Sequence, residues 1–354
     1  MSTLALRLGI AGSLIALFIW NPYPFQYLEL KGYDTLIMST ESVQNENILI
    51  VDLDEDLVKA YEGYPLPRSI YAELIQKTSA VPGITVLMPD ADIRGKENDN
   101  LFSSAMRKIP TVLASAASAQ STEQGLHVGT AQLGEDPLPW LYQYQGILRT
   151  ESILELNRKG LGLVTATPEI DGVTRRIPLV VNVQSKLYPA FALELLRLAV
   201  NDPSYQLKTT QEGIDWIRVP SYPLMKTDAN ARIFLDWNTK FYKQTGLEFL
   251  ESPIDAPFVI FGVTAEGVVN PTPTPAGLKY PHEIQANILH NLINGSAPST
   301  PSWAPAGELF ALALGLLLVA LTVSSIYISA PVIFSLIGGS MFGAWYLFQS
   351  SYLF

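Results

Sequence analysis

The chain contains no cysteine. That removes disulfides, thiolate nucleophiles and zinc–thiolate sites from consideration. It does not fix the compartment, because a cysteine-free chain suits an oxidising exterior and is also found elsewhere. Charge is scarce too: charged residues are 16% of the 354 positions, against roughly 25% in an average soluble domain. The shortage sits at the two ends, the mark of a soluble body tethered by lipid-embedded segments. No Lys/Arg run occurs, the nearest approach being Arg175-Arg176, and the net charge is −10. An acidic body repels phosphate backbones, which argues against nucleic acid as a partner and against docking on an anionic cytoplasmic lipid surface. No low-complexity segment or repeat is visible, and neither a Gly-x-Ser-x-Gly elbow nor a kinase signature occurs.

The N-terminus runs uncharged from Leu8 to Trp20, with Arg7 just before it. If a helix starts at Leu4 and Arg7 snorkels, residues 4–20 reach the short limit for a membrane span, about 17 residues. Trp20 and the aromatic residues of Asn21–Tyr27 suit the interfacial belt. An uncleaved signal anchor is the preferred reading, because no small-x-small cleavage site follows Trp20; a cleaved signal peptide is the rival. At the other end no charged residue occurs from Leu309 to Phe348. A helical run of that length covers about 60 Å, two crossings of a hydrocarbon core about 30 Å thick. Pro331 is expected to mark the turn, giving transmembrane helices 309–329 and 331–348. Trp303 and Trp345 fall where the two limbs meet the same interface. With the N-terminus inside, residues 21–302 lie outside, and so does Phe354. A receptor that signals inward then needs either a further crossing and a cytoplasmic output beyond Phe354, or partners.

The body, Asn21–Ser302, alternates strands and helices, which points to an α/β fold, a mostly parallel sheet flanked by helices. Residues 47–54, 83–90, 111–116 and 258–265 are short apolar runs of the kind buried on both faces of a parallel sheet. Residues 67–80, 99–108 and 188–200 carry apolar positions at helical spacing. A helix opened by Pro281 ends at Asn294-Gly295, and a shift in it would be felt at Glu308 and the apolar hairpin. Residues 161–183 read as two strands around an Asp171-Gly172 turn, and 216–224 and 232–237 as further strands. Residues 117–158 read as an excursion of loops and small strands.

Several groups are candidates for chemistry. Asp52, Asp54 and Asp56 follow the first strand, and Asp90 and Asp92 follow the second. Strand ends of an open parallel sheet share one edge, where ligands bind. Carboxylates there can hold a cation or an amine; helix caps and solvated loop charges are the plainer account. The segment from Asp52 to Leu57 lacks the Gly and terminal Glu of an EF-hand loop. Arg68, at the start of a helix, can lock the loop by pairing with Asp52 or Asp54, or reach a ligand anion. Of Arg175 and Arg176, one is expected to bridge to an acidic neighbour and the other to be solvated. Histidine occurs only at 127, 282 and 290. His282 and His290 lie two turns apart on one expected helix, about 12 Å, too far for one metal, and surface or interface roles are expected. Gly262–Gly267 is a faint phosphate-loop echo without the Gly-Lys-Ser/Thr ending. No catalytic residue, metal or cofactor is expected.

The order of these pieces resembles the extracellular sensory domain called CHASE, second type, over roughly the whole chain. The likeness is carried by Ile48–Leu57 with Tyr61–Ile75, by Gly162–Val181 with its Asp-Gly-Val-Thr-Arg-Arg-Ile-Pro run, by Tyr188–Ala199, and by Val259–Gly295 with its Thr-Pro loop and Gln-Ala-Asn helix. The chain departs from the family habit at residues 88–95, at 234–240 and in the loop after Gly267. The resemblance implies a membrane-anchored extracytoplasmic sensor of a bacterial receptor, working as a homodimer in the inner membrane. Its body would face the periplasm or exterior, meet an unknown extracellular ligand, and relay to a cyclase or kinase output outside this chain. The family supplies no catalytic residues. Two other readings remain: a membrane-tethered scaffold without a small ligand, and a membrane-bound hydrolase, for which no acid/base pair is visible.

Overall fold

The computed structural model describes residues 3–89, 98–120, 129–148, 150–301, 303–322 and 326–348. The chain divides into two compact units: Glu41–Ala297, and Met1–Thr40 together with Pro298–Phe354.

The first unit is built on a six-stranded sheet. Its strands run in the spatial order Thr239–Thr245, Val43–Leu53, Phe258–Val263, Val81–Ile84, Val112–Ser115 and Gly160–Leu163. Every neighbouring pair is parallel. Both faces are covered, which is why the strands read as unbroken apolar runs rather than alternating ones; Ile48–Val51 and Phe258–Val263 are buried throughout. Alternate side chains point to opposite faces. Leu49, Val51, Val259 and Phe261 join one core with Leu57, Ile70, Leu74, Phe102, Met106, Leu154 and Phe249. These come from helices Glu55–Ala60, Arg68–Gln76, Asp99–Lys108, Ser152–Glu155 and Gly246–Glu251. Helices Phe191–Ala199 and Pro281–Asn294 pack on the other face.

That second face is approached very closely. A Cβ at Gly162 would lie 2.2 Å from the Phe191 backbone, and Gly262 meets His282 in the same way. Pro281–Asn294 begins with proline, whose missing N–H is no loss in a first turn. It ends at Gly295 in the left-handed region, φ 63°, which glycine adopts without strain. Its residues from His282 to Leu292 are all buried. Its polar side chains are tied to neighbours: Ala192 N–H donates to Gln285 Oε1 (3.0 Å), Asp236 N–H to Asn291 Oδ1 (3.2 Å), and Asn45 Nδ2 meets His290 Nδ1 at 2.7 Å.

Several expectations are corrected. The second strand ends at Ile84, and the helix expected over 67–80 ends at Gln76. Residues 161–183 do not form a hairpin. Gly160–Leu163 pairs with Val112–Ser115, while Arg176–Pro178 pairs antiparallel with Arg232–Phe234; a turn closed by Gly172 N–H to Glu169 O (2.9 Å) lies between. A separate four-stranded sheet, made by Gly129–Gly134, Ser204–Thr210, Gly213–Arg218 and Met225–Lys226, and the edge strand Thr239–Thr245 were not foreseen.

The second unit contains helices Thr3–Trp20, Tyr23–Met38, Ala304–Thr322 and Ile326–Phe348. Ala304–Thr322 packs against both Thr3–Trp20 and Ile326–Phe348. Pro331 does not mark a turn. It lies inside the last helix, near enough to its start that only the first turn must accommodate the missing N–H. Among the described residues one helix, Tyr327–Phe348 with mean hydropathy 1.5, is long and apolar enough to cross a membrane; Ala306–Leu318 is a shorter apolar helix.

Candidate functional site

The carboxyl edge of the parallel sheet carries the site. Asp52 is the last residue but one of the first strand, opposite Gly262 on one side and Thr245 on the other. It lies on the same face as Ile48 and Ile50, under the first turn of Pro281–Asn294, where a helix dipole favours negative charge. Asp52 Oδ1 is 2.7 Å from His282 Nε2. Lys243, from the edge strand, reaches 3.8 Å from Asp52 Oδ2 and 2.6 Å from Glu283 Oε1. Lys279 stands 3.7 Å from the same Glu283 oxygen, and Tyr280 N–H donates to Glu283 Oε2 at 2.8 Å. The ring of Tyr280 stacks on that of His282, centroids 5.9 Å apart.

The charges are mutually satisfied. Burial works against ionising Asp52, but the hydrogen bond and charge of His282, together with Lys243, outweigh it and hold the carboxyl below its usual range. Burial likewise opposes ionisation of Glu283, and Lys243, the Tyr280 N–H and Lys279 overcome it. Lys243 is raised: burial lowers it, and its bonds to Glu283 and Asp52 more than restore it. The ammonium of Lys243 thus occupies the place a cation would take between the two carboxylates. Among the described residues no group of three or more His, Asp or Glu is arranged to hold a metal ion.

Beside this network lies a cleft of about 170 Å³, lined by Tyr64, Thr85, Val86, Leu87, Val164, Val263, Val268, Val269, Pro281 and His282. His282 is fully buried. An ionised Asp52 only accepts, so Nε2 carries the hydrogen of that bond. Nδ1 is buried and has no hydrogen-bond partner among the described residues.

The sequence candidates separate here. Asp52 is in the network. Asp54 caps the Glu55–Ala60 helix, accepting from Leu57 N–H at 3.1 Å. Arg68 does not reach Asp52 or Asp54. It is buried, with Nε 3.3 Å from Asp99 Oδ1 and its guanidinium against the Tyr71 ring. Asp90, Asp92 and His127 lie outside the described residues. Both arginines of the Arg175-Arg176 pair are bridged: Arg175 fork-to-fork with Asp171 at 2.9 and 2.7 Å, and Arg176 likewise with Glu169 at 2.7 Å. His282 and His290 are in the interior rather than at a surface. His290 packs edge-on against Phe241, and burial pushes its pKa down despite the charge of Asp236. His282 was passed over because spacing along one helix tests only whether the two histidines share a metal. Its partner is 230 residues away in sequence.

An open parallel α/β sheet with a cleft at its carboxyl edge belongs to the class of folds that take ligands at strand ends. The model of the CHASE2 domain family matches residues 10–323, and the chain belongs to that family, whose members are extracellular sensory domains. No curated protein and no solved structure gives a match to the chain.

Proposed function

We propose that the chain is the membrane-anchored sensory part of a bacterial signal-transduction receptor, with Glu41–Ala297 outside the cytoplasm. It catalyses no reaction itself. Helices Thr3–Trp20, Ala304–Thr322 and Ile326–Phe348 cross the inner membrane, and the chain works as a homodimer that relays its stimulus to a cyclase or kinase output outside this sequence. The observation that carries the sensory reading is the cleft at the sheet edge, with His282 buried in its wall on a helix that interlocks with several other elements. A stimulus felt there reaches a helix that cannot shift without disturbing Asp52, Asn45 and the Phe191–Ala199 helix. A scaffold reading has one observation in its favour: the edge strand Thr239–Thr245 leaves Tyr242 45% exposed, an open edge that a protein partner can extend.

The absence of cysteine supplies the test. Gln211, exposed at the hairpin tip between Ser204–Thr210 and Gly213–Arg218, accepts a single thiol against an empty background. Gln211→Cys in the full chain should react with a membrane-impermeant maleimide in intact spheroplasts. Reaction only after the membrane is opened would overturn the proposed placement.

A further inference from the structure

We propose that the contact between Asn45 and His290 is an acid-sensitive latch between the first strand and the last helix of the sensory unit, closed while the imidazole is neutral and released when it takes up a proton. This names the proton as a stimulus and rests on the sensory reading. The direction of the contact is fixed by the backbone. Strand pairing slips between Asn45 and Leu49, and within that slip Asn47 N–H and Ile48 N–H turn to Asn45 Oδ1, at 2.9 and 3.0 Å. A backbone N–H only donates, so that atom is the amide oxygen, and the amide NH2 is the group 2.7 Å from His290 Nδ1. Nδ1 therefore accepts, and the neutral ring carries its hydrogen on Nε2. Asn294 brings a second amide nitrogen to 3.2 Å from Nδ1, oriented by its bond to His290 O at 3.1 Å. A proton taken up by the ring goes to Nδ1, the atom that both amides face. The imidazolium then sets N–H against N–H, and the bond is lost.

The groups around His290 leave the released ring no better place. The edge strand presents the Phe241 ring edge-on, with Lys240 exposed and Lys243 held by Glu283. On the first strand Glu46 is exposed and Asp52 is bonded to His282. The neighbouring strand Phe258–Val263 carries no charge. On the helix Phe191–Ala199, Glu194 and Arg197 bond each other. Asp236, ahead of the edge strand, favours the charged ring, but burial outweighs it. The latch also sits where a change is passed on. The chain enters the sensory unit at Glu41 and leaves it at Ala297, just before the strand and just after the helix that the latch joins.

The test uses the full chain in detergent micelles with its three histidines labelled with ¹⁵N, the His290 signals being assigned by their loss in His290→Gln. At about pH 7.5 the His290 hydrogen should be on Nε2, and the ring should titrate below the ordinary value of about 6.5. Hydrogen exchange followed by mass spectrometry should report the release. Once intrinsic pH dependence is removed, residues 43–48 and 288–295 should exchange about tenfold faster in acid, with the midpoint of the His290 titration. His290→Gln, an acceptor that does not titrate, should lack this step. Asn45→Asp should invert it: one carboxylate oxygen still takes the two backbone N–H groups, and the other accepts from the imidazolium, so the His290 pKa rises and acid no longer loosens the ends. A purely structural contact predicts no such inversion, and Asn45→Asp decides alone if His290→Gln fails to fold. The proposal is overturned if the hydrogen is on Nδ1, if His290 titrates without a step in exchange, or if the step persists in a folded variant. Any of these results alongside thiol labelling in intact spheroplasts would sink the latch and leave the sensory reading standing.

Discussion

Gly262→Ala is the sharpest probe of how the site is built. A Cβ there would lie 2.1 Å from His282 Nδ1, 2.2 Å from its Cγ and 2.5 Å from its Cβ. These atoms are at the root of the side chain, so rotating the ring does not clear them. Either the strand and the helix separate, or the imidazole is expelled. Overpacking of a core costs about 1–3 kcal/mol, and losing the hydrogen bond to the Asp52 carboxylate adds about 1.5–3 kcal/mol. A loss of about 2.5–6 kcal/mol is therefore expected, a large share of the roughly 5–15 kcal/mol by which a domain is stable. The assay is urea unfolding of the full chain in micelles, followed by tryptophan fluorescence, for which buried Trp237 is a natural reporter. His282→Gly removes all three opposing atoms, so the double variant should cost less than the sum of the single ones by about 1–3 kcal/mol. A Gly262→Ala protein within about 0.5 kcal/mol of the parent, or a cycle additive to the same tolerance, would refute the reasoning.

Two further outcomes are expected. The pKa of His290 is depressed in the folded state, so its contribution is complete above its unfolded value, about 6.5, and is lost as pH falls through the folded one. Asp52 and Glu283, also depressed, add a second loss below about pH 4. Glu194, raised chiefly by burial, works in the opposite sense, so the clean measurement is the difference in melting temperature between parent and His290→Asn from pH 7 to 5. That difference should shift against the parent as pH falls, and a shift in its favour would contradict the account. Asp54→Ala should cost about 1 kcal/mol, the worth of a helix cap, and less than Asp52→Ala in urea midpoint; the reverse order would place the important carboxylate wrongly.

The buried strands were legible because a strand covered on both faces must be apolar through its covered length, as Ile48–Val51 and Phe258–Val263 are. The closing helix was legible from Pro281 and Gly295, whose backbone preferences are local. The edge strand Thr239–Thr245 was not: one side of it faces water, and Lys240, Lys243 and Gln244 remove the apolar run that betrays its neighbours. Strand order was hidden for another reason, since nothing local in Phe258–Val263 records which two strands it will separate. Of the site, Asp52 was visible from its place at a strand end. Asp54 offers the same residue type two positions on and is a cap, a distinction made by the following N–H groups. Arg68 was assigned the wrong carboxylates because Asp99, its partner, starts a different helix. His282 carries no motif; the signal that could have found it is a helix whose polar residues fall on every side, which must then meet polar partners indoors.

The insertion of Phe258–Val263 between Val43–Leu53 and Val81–Ile84 has a consequence for how the chain is made. Both flanking strands leave the ribosome long before the strand that joins them. At about 5–20 residues per second, the delay between Ile84 and Phe258 is roughly 10–35 s. Throughout that interval two apolar strands must wait side by side with a vacant slot, or pair with each other in a register that later has to be undone. Sheet closure is thus a late, long-range event of the kind that slows folding. A nascent chain truncated before residue 258 should be a client for chaperones rather than a smaller folded domain.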